Sequence, residues 1–197
     1  MPEPSLILAS SSPRRREILE SMGLVFTVET ADVDESLRAD ERAADMVVRL
    51  AATKVAAIAA QPGQIIIGAD TAVVLNENIF GKPNGTDDAL RMLLELSGRT
   101  HQVMTGVAVA TTAGIQSALC VTDVRFREIS PDEAQRYWQS GEPRGKAGAY
   151  AIQGRGGAFV EAIMGSYTSV VGLPVFEAAR LLREAGLDTL PALQSGA

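Results

Sequence analysis

IIIGADTAVVLNENIFGKP, residues 65–83, sets one carboxylate, Asp70, inside an otherwise apolar strand. The run Ile65-Ile66-Ile67 followed by Ala72-Val73-Val74-Leu75 has the β-branched, uninterrupted character of a strand covered on both faces. An ionised Asp in such a strand loses several kcal/mol of hydration unless a cation, a metal or hydrogen-bond donors compensate it. Asp70 is therefore expected to have a partner. Gly68 and Ala69 leave room for a ligand to approach the backbone. Beyond the turn Asn76-Glu77-Asn78, Lys82 can return across a hairpin toward the same end of the strand. The bland alternative is an Asp that only caps a strand end or turn.

Upstream, Ser5 to Ala9 (SLILA) reads as a buried strand. Ser10-Ser11-Ser12 and a helix opened by Pro13 follow, with Ser12 as the N-cap. Arg14, Arg15 and Arg16 then place positive charge at the positive end of the helix dipole, which is unfavourable until an anion sits there. A phosphate against the seryl loop and the arginines resolves the conflict. The alternative is an exposed basic turn neutralised by Glu17 and Glu20. The loop is not a Walker A motif, because GxxxxGK[ST] is absent. Thr30 to Glu35 (TADVDE) supplies Asp32, Asp34 and Glu35, a cluster that suits a divalent metal or is simply solvated. From about Asp40 to Ala60 the pattern is helical, with Val47, Leu50, Ala51 and Ile58 as the apolar stripe. Lys54 lies on that stripe, either snorkelling past the core edge or pointing into a cleft.

Downstream, Asp87 to Leu96 reads as a scaffold helix stopped at Gly98. Strands follow from His101 to Thr111 and from Ile115 to Glu128. Ser130-Pro131-Asp132-Glu133 is a capping box that opens a helix carrying Tyr137 and Trp138, read as packing residues. Gly141 to Gly172 holds 8 of the chain's 18 glycines, which predicts tight turns and close backbone approach rather than regular elements. Lys146, Gln153 and Arg155 among these small residues suit a polar ring held against a backbone. A helix from Pro174 to Ala185 closes the fold.

At 197 residues the chain is long enough for one domain with a full core, and the expectation is a single domain over 1–197 with a tail that frays after about 187. A hydrophobic fraction of 46% with a mean hydropathy of +0.10 fits a globular protein. The net charge of −6 and pI of about 4.9 argue against a general affinity for nucleic acid or anionic membranes, so any anion site must be local. Cys120 and His101 are the only residues of their kinds, which excludes an intramolecular disulfide and zinc-type clusters and fits a reducing, cytoplasmic compartment. Both sit in strand-like runs and read as packing. The opening MPEPSLILASSSPRRR lacks the pattern of a signal peptide, and no membrane span is expected.

LASSSPRRREIL (8–19), GADTAVV (68–74), GKP (81–83) and KAGAYAIQGRGGAFVEAIMGSYTSVVGLP (146–174), in this order, resemble the Maf family of nucleoside triphosphate pyrophosphatases. The resemblance runs from Leu6 to about Gly186, and the last block is similar to the branch acting on dTTP and UTP. It implies cleavage between the α and β phosphates, giving the nucleoside monophosphate and pyrophosphate with magnesium or manganese. It also implies an inosine triphosphatase-like α/β fold: a long mixed sheet, packed helices, a cleft between two lobes, and a homodimer. Asp70 matches the general base of that family. Arg14, Thr71 and Gln153 match positions linked to substrate choice, and Glu35, Lys54 and Lys82 match polar positions of the cleft. With Ser12, Arg15 and Lys146 they make the expected substrate site. Glu35 and Asp70 are the expected metal ligands; whether Asp70 takes a proton or holds the metal stays open at this level. The alternatives are a 7-methyl-GTP pyrophosphatase and a nucleotide-sensing regulator of septum formation.

Overall fold

The computed structural model describes residues 4–190. The chain runs β1 (Ser5–Leu8), α1 (Pro13–Ser21), β2 (Phe26–Val28), α2 (Ala43–Ala56), β3 (Gln64–Leu75), β4 (Asn78–Phe80), α3 (Thr86–Leu96), β5 (Thr100–Thr111), β6 (Gly114–Phe126), α4 (Pro131–Gln139), β7 (Val160–Met164), α5 (Tyr167–Val171) and α6 (Val175–Glu184). Short 3-10 turns stand at Ala147–Ala149 and Arg155–Phe159. The fold is mixed α/β. Its seven strands form one sheet in the order β2-β1-β3-β5-β6-β7, with β4 paired to β3.

The stretch around Asp70 is one continuous strand, and its neighbours on one side are divided. β1 pairs parallel with its first part, Ser5 opposite Gln64 through Leu8 opposite Ile67. β4 pairs antiparallel with its last part, Val73 opposite Phe80 through Leu75 opposite Asn78. Asn76 and Glu77 make the turn between β3 and β4 with positive φ values of 49° and 67°, the geometry of a two-residue hairpin. On the other side β5 pairs without a break, from Ile66 opposite Ala110 to Val74 opposite Gln102. The sheet therefore forks beside Gly68 to Ala72, and Asp70 lies at the middle of the fork.

Period-two alternation distributes β3 between two cores. Ile65, Ile67, Val73 and Leu75 join the larger cluster with Leu93, Leu96, Phe126, Leu181 and Leu182. Ile66 faces the other way, against Ala51, Val55 and Ala108. Burying each such Leu or Ile contributes roughly 1.5–3 kcal/mol. On the second face α2 lies unusually close to the sheet, because Gly68 and Gly106 offer no side chain. A Cβ on Gly106 would lie 2.3 Å from the Val47 carbonyl oxygen, and one on Gly68 would lie 2.9 Å from Val55 Cγ1. Gly106 is the residue opposite Asp70 in the β5 register. This approach brings the stripe of α2, Lys54 included, directly over Asp70.

Three expectations change. The helix read from Asp40 to Ala60 is shorter, Ala43–Ala56, because Asp40 adopts a positive φ of 57° and Ile58 packs beyond the helix end. The glycine-rich segment contains regular structure after all, in β7 and α5, since VEAIM has strand propensity and pairs with β6. Ser12 occupies the N-cap position of α1 with an extended backbone, but its hydroxyl makes no capping bond. The capping box at Ser130 and Glu133 is present with both of its bonds. The tail expected to fray lies largely in 191–197, outside the described residues. No helix among the described residues is long and apolar enough to cross a membrane.

His101 is 1% exposed, and its Nε2 pairs with the Tyr150 hydroxyl at 2.9 Å. That bond ties the loop after α4 to the sheet. Burial lowers the imidazole pKa to about 4, so the folded protein holds it neutral. The unfolded chain binds the proton near pH 6.5, so stability is full above that value and falls as the pH drops toward about 4. The loss is expected to be on the order of 3 kcal/mol across this window. Urea unfolding of the parent and of His101→Gln at pH 7.5 and pH 4.5 checks it: the parent loses more stability than the variant, and equal losses would contradict the assignment.

Candidate active site

A cleft of about 700 Å³ opens at the fork in the sheet. Its lining comes from the loop after β1 (Ser10, Ser11, Ser12), from the first turn of α1 (Arg14, Arg15), from α2 (Lys54), from β3 (Asp70, Thr71), from the loop after β4 (Lys82) and from the loop after α4 (Lys146). Glu35 enters from the loop between β2 and α2. A smaller side pocket of about 50 Å³ shares Ser12, Arg14, Arg15 and Thr71 with the cleft and adds Tyr150, Ala151, Gln153 and Gly172. Every site residue expected from the sequence thus lines one of two contiguous spaces, with Gln153 in the side pocket alone.

The partner expected for Asp70 is Lys54. Its Nζ lies 2.6 Å from Asp70 Oδ1 and 2.6 Å from Glu35 Oε1, with Lys54 and Asp70 side chains only 13% and 15% exposed. This settles the alternatives for Lys54, which points into the cleft. The ion pair lowers the Glu35 pKa, chiefly through the hydrogen bond from Lys54 and against partial burial, with Lys82 and Arg15 adding their charge. Lys82 stands at the rim, 3.9 Å from Glu35 Oε2. Of the three acids of the TADVDE run, only Glu35 turns inward. Asp34 Oδ1 instead accepts the Ser36 N–H at 2.9 Å, and Asp32 is exposed. The loop is fastened to α2 by Arg49, which reaches both Glu41 oxygens at 2.6 and 2.7 Å and the Ser36 carbonyl at 3.1 Å.

The three consecutive arginines part company. Arg16 is exposed. Arg15 packs inward, Nε donating to the Gly172 carbonyl at 2.9 Å and Nη1 to Ser10 Oγ at 3.0 Å, so it braces the β1 loop against the end of α5. Burial lowers its pKa, with Asp70 opposing. Arg14 is half-buried and its pKa is also lowered by burial, with Glu17 opposing. Lys146 is lowered by burial and by repulsion from Arg14. Cations held this close in a partly dry cleft repel one another and are relieved by a polyanion. The first turn of α1 carries no acid and no side-chain cap, so its N–H groups add to the same field.

Thr71 faces away from Asp70, as alternation requires, and its hydroxyl pairs with Thr105 at 3.0 Å. Two adjacent residues thus serve two spaces: the carboxylate serves the cleft and the threonine also borders the side pocket. Sequence reasoning missed the group that holds the far wall of that pocket. Glu142 and the Tyr137 hydroxyl bond to one another at 2.7 Å and to backbone N–H groups of the glycine-rich loop. The only sequence signal was a Glu followed by closely spaced glycines, which specifies no partner.

The donor set suits a hard divalent cation. Carboxylate oxygens with phosphate and water are the ligands such ions take, but the point on which Glu35 and Asp70 converge is held by the Lys54 ammonium. Two carboxylates are fewer than a self-sufficient cage needs, and no group of three or more His, Cys, Asp or Glu is gathered among the described residues.

Residues 5–185 match the family described as Maf-like protein. The chain is similar to the dTTP/UTP pyrophosphatase of Hahella chejuensis, 50% identical over 186 residues that cover 92% of each chain. The Vibrio parahaemolyticus dTTP/UTP pyrophosphatase is 47% identical, over 91% of this chain and 96% of that one. The Methylococcus capsulatus dTTP/UTP pyrophosphatase is 49% identical, over 98% and 96%. Among solved structures, the Staphylococcus aureus Ham1 protein shares 79% coverage of both chains at a TM-score of 0.47 and 12% identity, a likeness too loose to bear on function.

Lys54→Met strips the cation from between two carboxylates and is expected to destabilise the protein by about 3 kcal/mol. Adding Asp70→Asn removes the charge left stranded, so the double variant recovers part of that loss. Urea melts of the two single variants and the double check this; strictly additive losses would mean that the two side chains are not coupled.

Proposed function

The chain belongs to the Maf family, and we propose that it hydrolyses dTTP and UTP to the nucleoside monophosphate and pyrophosphate, acting as a single domain. Modified pyrimidine nucleoside triphosphates belong to the same substrate class, which makes the reaction one of nucleotide-pool cleaning. The observation that carries the reading is the Glu35–Lys54–Asp70 cluster at the fork, facing the seryl loop and Arg14 across one cleft. The names borne by the relatives supply the substrate.

Seated in this way, the base enters the side pocket, where Gln153 offers both a donor and an acceptor to a pyrimidine imide edge. The triphosphate lies along the cleft. Ser12, Arg14, Lys82 and Lys146 bind its charge, while Arg15 keeps the β1 loop in place. Asp70 accepts a proton from water as that water's oxygen bonds to the α phosphorus. The α–β bridging bond breaks, and pyrophosphate leaves with the bridging oxygen. Lys54 holds Asp70 Oδ1 and so fixes the direction of the other carboxylate oxygen. A magnesium or manganese ion would neutralise phosphate charge; Glu35 and Asp70 would hold it only with the Lys54 ammonium moved from between them, and an Asp70 so engaged would be a ligand instead of the base. Assembly as a homodimer belongs to the same proposal.

Pyrophosphate release measured over dTTP, UTP, dATP, dGTP and 7-methyl-GTP tests the substrate class. The pyrimidine nucleotides are expected to lead; a lead for 7-methyl-GTP overturns the specificity, and tight binding without turnover would make the protein a sensor. Asp70→Asn is expected to lower single-turnover rates by roughly 10²–10⁴-fold while nucleotide still binds. Near-parental turnover by that variant would remove Asp70 from the chemistry.

A further inference from the structure

We infer that Glu142 is a positioning residue that sets the seat of Gln153, an inference that rests on the substrate reading above. Glu142 follows α4, and its carboxylate accepts three hydrogen bonds. The Tyr137 hydroxyl donates to Oε1 at 2.7 Å, the Gly156 N–H to Oε1 at 3.0 Å, and the Arg155 N–H to Oε2 at 2.9 Å. The Tyr137 hydroxyl in turn accepts the Ala151 N–H at 3.0 Å. Gln153 lies between Ala151 and Arg155. Both flanks of the residue that meets the base are thus tied to one carboxylate, directly or through one hydroxyl.

Gln153 is itself exposed, so its place is set by its backbone rather than by packing around its side chain. The loop's small residues fit the same account. A Cβ on Gly154 would lie 2.4 Å from Glu142 Oε2, and one on Gly156 would lie 2.5 Å from the Tyr137 hydroxyl oxygen. At Gly154 the atom a Cβ would meet is the Glu142 carboxylate itself, so closeness to that group leaves no room there. Burial opposes ionisation of Glu142, yet the bonds from Gly156, Tyr137 and Arg155 outweigh it and hold the pKa below the usual range. Tyr137 is moved upward by burial and by this bond, so it stays a donor. Charge-assisted bonds of this kind are roughly twice as strong as neutral ones, and a carboxylate can accept from two N–H groups and a hydroxyl at once. A glutamine in its place turns one acceptor into a donor that faces an N–H.

The test compares the parent with Glu142→Gln, Gly154→Ala, Gln153→Ala and the Glu142→Gln/Gln153→Ala double variant, by amide hydrogen exchange and by steady-state kinetics on dTTP and dATP. In Glu142→Gln and in Gly154→Ala, exchange at Arg155 and Gly156 is expected to quicken. KM for dTTP is expected to rise about tenfold, with kcat changed far less, and the preference for dTTP over dATP to shrink. Adding Gln153→Ala to Glu142→Gln is expected to reduce that preference little further, as residues acting through one another are not additive. Unchanged exchange in the loop, or a loss of preference that adds in full to that of Gln153→Ala, overturns the inference. If Glu142→Gln does not fold, Gly154→Ala decides, since its Cβ displaces the same carboxylate. A parent that does not favour dTTP contradicts the substrate reading, while exchange at Arg155 and Gly156 still decides whether Glu142 holds the loop.

Discussion

One edge of β3 is shared between two strands that never meet, β1 along its first part and β4 along its last. Between them the backbone from Gly68 to Ala72 borders an opening instead of a strand, while β5 pairs with the opposite edge from Ile66 to Val74. Whatever ends β1 and whatever follows β4 must therefore arrive at that opening. The first is the seryl loop with the start of α1; the second is the turn carrying Lys82. A carboxylate placed at the midpoint of the fork lies on a paired strand and is reached through the opening beside it.

Electrostatics then decide what the opening can accept. The protein carries a net charge of −6, yet the cleft gathers Arg14, Arg15, Lys54, Lys82 and Lys146 around only two inward carboxylates. Lys54 offsets one of those two charges and Lys82 stands 3.9 Å from Glu35, while Arg14 and Lys146 repel one another in a partly dry space. The site selects a polyanion by leaving positive charge uncompensated, and its local sign is opposite to that of the whole molecule. The close packing of α2 on Gly68 and Gly106 supplies the cation, so a property of two glycines in the core becomes a property of the site.

Much of this was legible in the sequence, for definable reasons. An Asp in a doubly covered strand must have a partner, and arginines on the first turn of a helix carry charge that an anion relieves; both arguments use local physics that the chain carries on its face. The Maf resemblance added residue roles that local physics does not supply. The partner of Asp70 was less legible, because Lys54 on an apolar stripe reads equally well as a snorkelling side chain until the sheet is placed beneath it. Glu142 was not legible at all. Its bonds run to Tyr137 and to the N–H groups of Arg155 and Gly156, and backbone donors leave no mark in a sequence. The regular structure inside the glycine-rich segment was hidden because glycine density signals turns whether or not a strand such as β7 lies between them.

The account turns on a spatial order: the base in the side pocket, then the sugar, then the first phosphate against Asp70, because Thr71 and Asp70 are neighbours that border the pocket and the cleft in turn. That order makes the α phosphorus the atom nearest the carboxylate. Hydrolysis of dTTP in ¹⁸O-labelled water, with mass analysis of both products, tests this directly. The account predicts the label in the nucleoside monophosphate and none in the pyrophosphate; label carried by the pyrophosphate would mean attack on the β phosphorus and would contradict the seating of the substrate around Asp70.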